Sequence, residues 1–389
     1  MRGAQARIND YTCTELITRS ISDGTPLRVR TLDRFRLQVA VIGGRERFSW
    51  PGAAFERDDP RDIVGGGLTG VGDFAGFSRS VFSSDGTDFT TGEEEVRDQK
   101  PTIRYDYTVP RKASIYRLGS GTESAVVDYG GSFWVDPLTE RVVALKVEVD
   151  QRRNNIPAAL DMFDVKTMLE FNAVRPVGEE LPFPTSSTLT VVHFRNSLVT
   201  SNHIEFTGCR QYSAESSIQF GVPDAVKPVA PAAKPAGELP DGLDLEVELD
   251  APVRGATAAA GDSVTATLRR PVRAGTFRLP KGARLLGRIL SVETDMDKNA
   301  THVRLGFSRL ENADRSFPFR ARFVTSETAP GVINGGAWPA KRIDLREIQD
   351  ASASEWVTRM DFRLMGKEAQ LPKGFRMEWL TSPAQNPRR

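Results

Sequence analysis

Between residues 102 and 109 the side chains alternate without a break: Ile103, Tyr105, Tyr107 and Val109 against Thr102, Arg104, Asp106 and Thr108. A strand sends successive side chains to opposite faces, so this stretch reads as a strand with one buried face and one wet face. Strands of that kind belong to antiparallel sheets, because parallel strands are covered on both sides. The period recurs. Leu37, Val39 and Val41 share one face, and Val143, Leu145, Val147 and Val149 alternate with Lys146 and Glu148. Residues 188–195 and 202–206 read as a hairpin turning at Asn196-Ser197. Shorter runs near 26–31, 45–50, 114–118, 124–128 and 132–136 bring the first half of the chain to about ten strands at hairpin spacing. Residues 161–171 fit strand and helix equally.

Two segments break the alternation. Residues 70–83 place Val71, Phe74, Phe77, Val81 and Phe82 at near-helical spacing, which predicts an amphipathic helix. Residues 53–64 predict a shorter one, limited by Pro60. About ten strands must curl or close, and a helix with an aromatic face can cover the concave side, which otherwise exposes its apolar face to water. The expected fold class is therefore mainly β: a large curved antiparallel sheet, a half-barrel, with one or two helices.

Residues 221–240, GVPDAVKPVAPAAKPAGELP, are rich in proline and alanine and read as a semi-rigid linker with no capacity for a core. The expected organisation is a sheet domain over 1–220, a linker over 221–240 and a second domain over 241–389. The second part repeats one turn signature: Leu239-Pro-Asp-Gly242, Leu279-Pro-Lys-Gly282 and Leu371-Pro-Lys-Gly374. Proline at the second position and glycine at the fourth suit a type I turn. Strand-like runs follow each turn, which predicts a small all-β domain, a barrel. Residues 328–354 read as loop.

Charge and length exclude several classes. With 52 basic and 51 acidic residues among 389, the net charge is +1, whereas dedicated nucleic-acid binders carry a basic excess. No apolar run reaches the roughly 18 residues of a membrane-spanning helix. The opening MRGAQARIND shows no apolar signal region. Either the chain is cytosolic as it stands, or an export signal is missing from it. The two cysteines bear on this choice. Cys13 and Cys209 fall at the two ends of the first domain, and a bridge between them would persist only in an oxidising compartment. The alternative is two buried thiols that pack as small apolar side chains.

Few side chains are arranged for chemistry. Gly65-Gly-Gly-Leu-Thr-Gly70 fits G-x-G-x-x-G, but Asp58-Asp-Pro-Arg-Asp62 before it is not a strand, and no parallel sheet is evident. Asp295-Met-Asp-Lys-Asn299 opens like a calcium loop, but Ala300 and Gly306 stand where the glycine and the bidentate glutamate are required. His193 and His203 face each other if the hairpin turns near residue 198, and Glu205 is a third donor for a metal hydrolase. Two imidazoles without an arranged ligand set favour a plain surface pair instead. No catalytic residue, metal ligand or cofactor is nominated, and the chain leans away from being an enzyme. The positive signal is aromatic. Phe48, Trp50, Phe74, Phe77, Phe133 and Trp134 gather around the expected helix and the strands beside it. They form either an ordinary core or the lining of an apolar cavity between sheet and helix. Trp50, Phe74, Phe77, Phe133 and Trp134 are the candidate cavity residues.

Four segments in order, Tyr11-Thr-Cys-Thr-Glu15, Phe48-Ser-Trp-Pro-Gly52, Gly130-Gly-Ser-Phe-Trp-Val-Asp-Pro137 and Phe206-Thr-Gly-Cys-Arg-Gln-Tyr212, resemble a group of exported acidobacterial proteins to which no biochemical function attaches. That resemblance covers roughly residues 8–220. The layout of the first domain, and the stretch Gly131-Ser-Phe-Trp-Val-Asp-Pro137, are similar to the LolA-type lipoprotein carriers, in which a curved antiparallel sheet covered by helices encloses an apolar cavity. In the second domain, Ala260-Gly-Asp-Ser-Val-Thr-Ala266 and Leu279-Pro-Lys-Gly-Ala-Arg-Leu-Leu-Gly-Arg-Ile289 resemble the β-barrel domains of TrbI-type conjugation-channel proteins. Both resemblances imply an exported protein, periplasmic or extracellular. The expected function is a non-enzymatic envelope protein whose first domain binds a lipid or a lipidated partner. Its second domain would contact another envelope protein. A structural assembly module with a filled core is the alternative.

Overall fold

The computed structural model describes residues 11–25, 29–42, 45–55, 57–64, 67–69, 77, 80–82, 86–120, 122–150, 156–177, 179–211, 234–235, 237–295, 298–313, 315–335 and 358–382. The chain forms two compact units, one of residues 1–32 and 37–215 and one of residues 33–36 and 216–389. Most of the proline-rich stretch, residues 221–233, lies outside the described residues.

The first unit is built from strands β1 (Tyr11–Ser22), β2 (Arg30–Ile42), β3 (Arg45–Ser49), β4 (Asp88–Phe89), β5 (Glu93–Arg97), β6 (Lys100–Val109), β7 (Arg117–Ser120), β8 (Glu123–Val126), β9 (Tyr129–Asp136), β10 (Arg141–Asp150), β11 (Met162–Val177), β12 (Glu179–His193) and β13 (Val199–Gln211). Hydrogen-bonded neighbours run β3–β2–β1–β13–β12–β11–β10–β9–β6–β5, with β4 also on β6. The ladders from β1 to β5 are antiparallel, as the alternating sequence requires. Residues 161–171, ambiguous in sequence, resolve as strand in β11. Register shifts at Thr12/Thr14, Val142/Ala144 and Met162/Asp164 insert bulges that bend the sheet. The second of these bulges explains a departure from the simple pattern. Val143 is half-exposed at the bulge while Val142 and Ala144 are buried. Beyond it Leu145, Val147 and Val149 return to the buried face.

A single helical turn, α1 (Arg61–Val64), occupies the end of the segment expected to be helical. Pro60 starts this helix rather than limiting it, and its carbonyl accepts the Ile63 and Val64 amides. Of the helix expected over 70–83, Phe77, Ser80, Val81 and Phe82 are helical and buried, and the rest, Phe74 included, lies outside the described residues.

One close approach fixes a glycine. Gly131 faces Tyr107 across the β6–β9 ladder. The Tyr107 hydroxyl lies over it and donates to the Lys146 carbonyl at 2.9 Å. A Cβ on Gly131 would collide with that carbonyl, so the ring fills the place of the missing side chain. Replacing Gly131 with valine is expected to lower stability by about 2 kcal/mol, as overpacking does. Thermal unfolding checks this, and an unchanged midpoint would show that the strand shifts without cost.

In the second unit one antiparallel ladder runs through Val332–Gly335, Thr358–Met365, Ala300–Asn312, Arg284–Asp295, Ser263–Leu268, Asp244–Leu249, Arg376–Thr381 and Ala321–Ser326. Arg315–Pro318 pairs with Ala300–Asn312, and residues 319–320 lead from it into Ala321–Ser326 on the far edge. The sheet therefore curls strongly, but among the described residues no continuous ladder closes it into the expected barrel. Its interior is filled. Trp379, Phe307, Phe319, Phe362 and Phe375 are fully buried, and Trp379 meets Phe307, Phe319 and Phe323 edge-on with ring centres 5.3–5.9 Å apart. The repeated turns form one residue later than the type I reading places them. Pro280 and Pro372 accept the amides of Ala283 and Phe375. Gly282 and Gly374 thus stand third in the turn with φ of 91° and 82°, as in a type II turn. The Asp295 to Ala300 segment is a hairpin connection.

Candidate functional site

The register of the first unit determines which side chains share its inner face. Directly opposed residues point the same way. One row runs Ile17, Ile204, Ser187, Leu169, Leu145, Phe133 and Tyr105. The next runs Arg19, Asn202, Leu189, Thr167, Val147, Gly131 and Tyr107.

Half of this face is filled. Phe133 stacks on Tyr105 at 5.1 Å and takes the edge of Phe82 at 5.0 Å. The other half is open. A cavity of about 340 Å³ lies against Val165 and Thr167 of β11 and Ser187, Leu189 and Val191 of β12. Phe77 and Ser80 cover one side of it, and residues 115–119, leading into the β7–β8 hairpin, cover another. Phe77 is held edge-on by Tyr116 at 5.0 Å and Tyr129 at 6.2 Å. Ser80 and Tyr129 share a buried hydroxyl–hydroxyl hydrogen bond. The walls are thus mainly apolar, with the hydroxyls of Ser80, Tyr129, Thr167 and Ser187 among the buried ones. The volume lies in the range of small-molecule sites, roughly 300–1,000 Å³.

The five aromatic residues nominated from sequence fall in different places. Phe77 lines the cavity. Phe133 belongs to the filled half of the inner face. Trp134, its neighbour in sequence, points to the opposite face. There its indole N–H donates to Glu95 at 3.0 Å, and the Arg97 guanidinium lies 4.7 Å over the ring. Arg97 also pairs with Glu170. Trp50 is half-buried in the turn after β3, its carbonyl accepting the Ala53 amide. Phe74 lies outside the described residues.

Cys13 and Cys209 are joined in a disulfide, which ties β1 to β13 beside the bulge at Thr12/Thr14. On β1, Tyr11, Cys13, Glu15, Ile17 and Arg19 are all buried. Glu15 is 2% exposed, and its Oε2 has no hydrogen-bond partner. Burial pushes its carboxyl up to about 8, because a charge there has lost its water. Arg19 reaches residue 67, where a Cβ on Gly67 would strike its guanidinium. In the sequence Glu15 figures only within the motif Tyr11-Thr-Cys-Thr-Glu15, and its signal is its phase, which it shares with Tyr11, Cys13 and Ile17 on the apolar side of the strand.

The two histidines do not face each other. His203 opposes Thr188, and His193 ends its strand five residues further on. His193 bonds Thr200 at 2.9 Å, and His203 bonds Thr188 at 2.9 Å. Glu205 is 3.8 Å from His203 alone among the pair. Among the described residues no group of three or more His, Cys, Asp or Glu side chains is placed to hold a metal. Nor, among them, is any helix long and apolar enough to cross a membrane.

No protein-family model matches the sequence, and no curated protein matches it. Two solved structures are similar in layout. One is a domain from Vibrio parahaemolyticus described as a candidate outer membrane lipoprotein-sorting protein, at 12% identity and a TM-score of 0.30, covering 57% of this chain and 91% of that one. The other is a DUF1329 family protein from Desulfovibrio piger, at 12% identity and a TM-score of 0.29, covering 56% of this chain and 90% of that one.

Proposed function

We propose that the protein is a non-enzymatic, exported envelope protein whose first unit holds an apolar ligand, a lipid or the acyl chain of a lipidated partner. The cavity between β11, β12, the Phe77 helix and the β7–β8 hairpin carries this reading. Its apolar walls supply the driving force, and its few hydroxyls can orient a polar group on the ligand. The Cys13–Cys209 bond supports export, since such bonds persist in oxidising compartments. The second unit, filled by aromatic side chains, is a protein-contact module; its interior has the packing of a structural domain.

Native mass spectrometry of the full chain, prepared from an oxidising compartment, tests the ligand. A native species heavier than the denatured chain by one lipid-sized mass is expected. Leu189→Trp, which fills the cavity from a half-buried position, is expected to abolish that adduct while the unfolding midpoint holds. A wild-type chain of unadorned mass that also takes up no fluorescent fatty-acid analogue would leave the assembly-module reading in its place.

A further inference from the structure

Single exposed apolar residues are ordinary on a protein surface, whereas several around one opening are not. Ile115 lines the cavity yet is 72% exposed, so it stands on the rim. Met162 lines the same cavity. Its neighbour Phe163 is 41% exposed, pushed outward at the Met162/Asp164 bulge. The Phe163 ring lies 6.5 Å from that of Phe194, which is 59% exposed. The turn that carries Phe194 is strapped to the start of β11. The Phe194 and Arg195 amides donate to the carbonyl and the side chain of Asp161, at 3.4 and 2.9 Å. A short 3-10 turn, Ala158–Leu160, packs against β7 and β8. Ile115, Phe163 and Phe194 therefore belong to one end of the sheet, the end at which the cavity opens.

The charges of these segments are biased. Arg111, Lys112 and Arg117 are exposed, against an exposed Glu123 and a half-buried Asp128, while Arg195 pairs with Asp161. Asp161 and Asp164 are half-buried and engaged, Asp161 by the Arg195 amide and guanidinium at 2.9 and 3.9 Å, and Asp164 by Lys166 at 2.6 Å. Aromatic and aliphatic side chains flanked by arginine and lysine form the surface that an anionic bilayer receives: rings enter the headgroup region and cations meet the phosphates.

We propose that this rim is a docking surface for anionic lipid bilayers, so that the ligand passes between membrane and cavity without crossing water. The proposal rests on the ligand-binding reading of the cavity. Flotation of the full chain with vesicles tests it. The chain is expected to float with phosphatidylcholine vesicles containing phosphatidylglycerol, and to bind pure phosphatidylcholine about tenfold more weakly. The double substitution Ile115→Ser and Phe194→Ser is expected to lower partitioning about tenfold or more. Both positions are exposed, so the unfolding midpoint should hold. Equal flotation of wild type and double variant would overturn the proposal, as would failure of the wild type to float. A dimer in light scattering that vanishes in the double variant, without vesicle binding, would make the rim a self-association surface instead. The native mass of the wild type, read beside its flotation, separates the two readings. An adduct retained without flotation in the wild type sinks docking alone. Flotation without any adduct sinks the cavity reading alone.

Discussion

Reducing the Cys13–Cys209 bond is expected to destabilise the first unit by about 5 kcal/mol in the chain-entropy model. The two cysteines are 196 residues apart, so opening the bond frees a very long loop in the denatured chain while leaving the β1–β13 ladder intact in the folded one. The loss therefore falls on the denatured state, through a gain in its entropy. Urea unfolding with and without reductant, and of the Cys13→Ala, Cys209→Ala chain, measures it. The transition of the first unit should move to lower urea, with a steeper slope because the unbridged denatured chain exposes more surface. A shift of less than about 1 kcal/mol would mean that the bond adds little beyond the ladder it joins. In a reducing compartment a loss of that size is comparable with the whole stability of an ordinary domain, which is why the bond bears on where the protein works.

Glu15 should make stability fall as pH rises. Burial pushes its carboxyl up to about 8 in the folded chain, against an ordinary value of 4.5. Between those values the folded state keeps a proton that the unfolded state releases. Unfolding therefore becomes easier with each step upward in pH. Well below pH 4.5 both states are protonated and no penalty exists. At pH 7 the penalty is about 3 kcal/mol, and above pH 8 it is complete at about 5 kcal/mol. Glu15→Gln keeps the shape of the neutral acid and cannot ionise. The variant is expected to match the wild type near pH 4.5 and to exceed it by about 3 kcal/mol at pH 7. Unfolding midpoints of both chains between pH 4.5 and 8.5 give the answer. Parallel curves across that range would show that Glu15 is ionised in the folded protein and has a partner there.

The two effects act on neighbouring positions of one strand, and each can be read with the other fixed. The pH series run on the oxidised chain isolates the carboxyl. The reductant series run near pH 4.5, where the Glu15 penalty is still below about 0.5 kcal/mol, isolates the bond.

Much of the fold was legible in the sequence because it depends on local periodicity. Tyr105, Tyr107 and Val109 alternate with charged and polar residues, and they lie in a strand of an antiparallel sheet. The turn at Asn196-Ser197 is where the alternation stops, and β12 returns there as β13. Residues 161–171 were undecidable for the same reason: their local pattern serves both periods, and only the β10 and β12 ladders on either side make them strand. The turns at Gly282 and Gly374 were found by composition, but their type depended on which carbonyl accepts which amide.

The cavity was legible only as a concentration of aromatic residues. Adjacent residues of a strand face opposite ways, so Phe133 and Trp134 could not both line it, and the bulge at Val142/Ala144 means that counting along the chain alone does not give the phase. Val165, Leu189 and Val191 line the cavity without being unusual in sequence. What distinguishes them is register, set by pairing across β10, β11, β12 and β13. The same holds for His193 and His203, which a hairpin shifted by a few residues would have opposed.

By itself, then, the sequence determined that this chain builds antiparallel sheets. It also set two cysteines on what are, in chain order, the first and the last strand of the first unit. Those properties follow from the side-chain period, from backbone restrictions at proline and glycine, and from composition, all of which act over a few residues. The tertiary structure alone decided which half of the inner face is filled and which is open, and that Glu15 is stranded among apolar neighbours. It also decided that Ile115, Phe163 and Phe194 are exposed at one end of that sheet. Each of these depends on the pairing of strands distant in sequence, and a ladder displaced by one residue would turn every side chain to the other face.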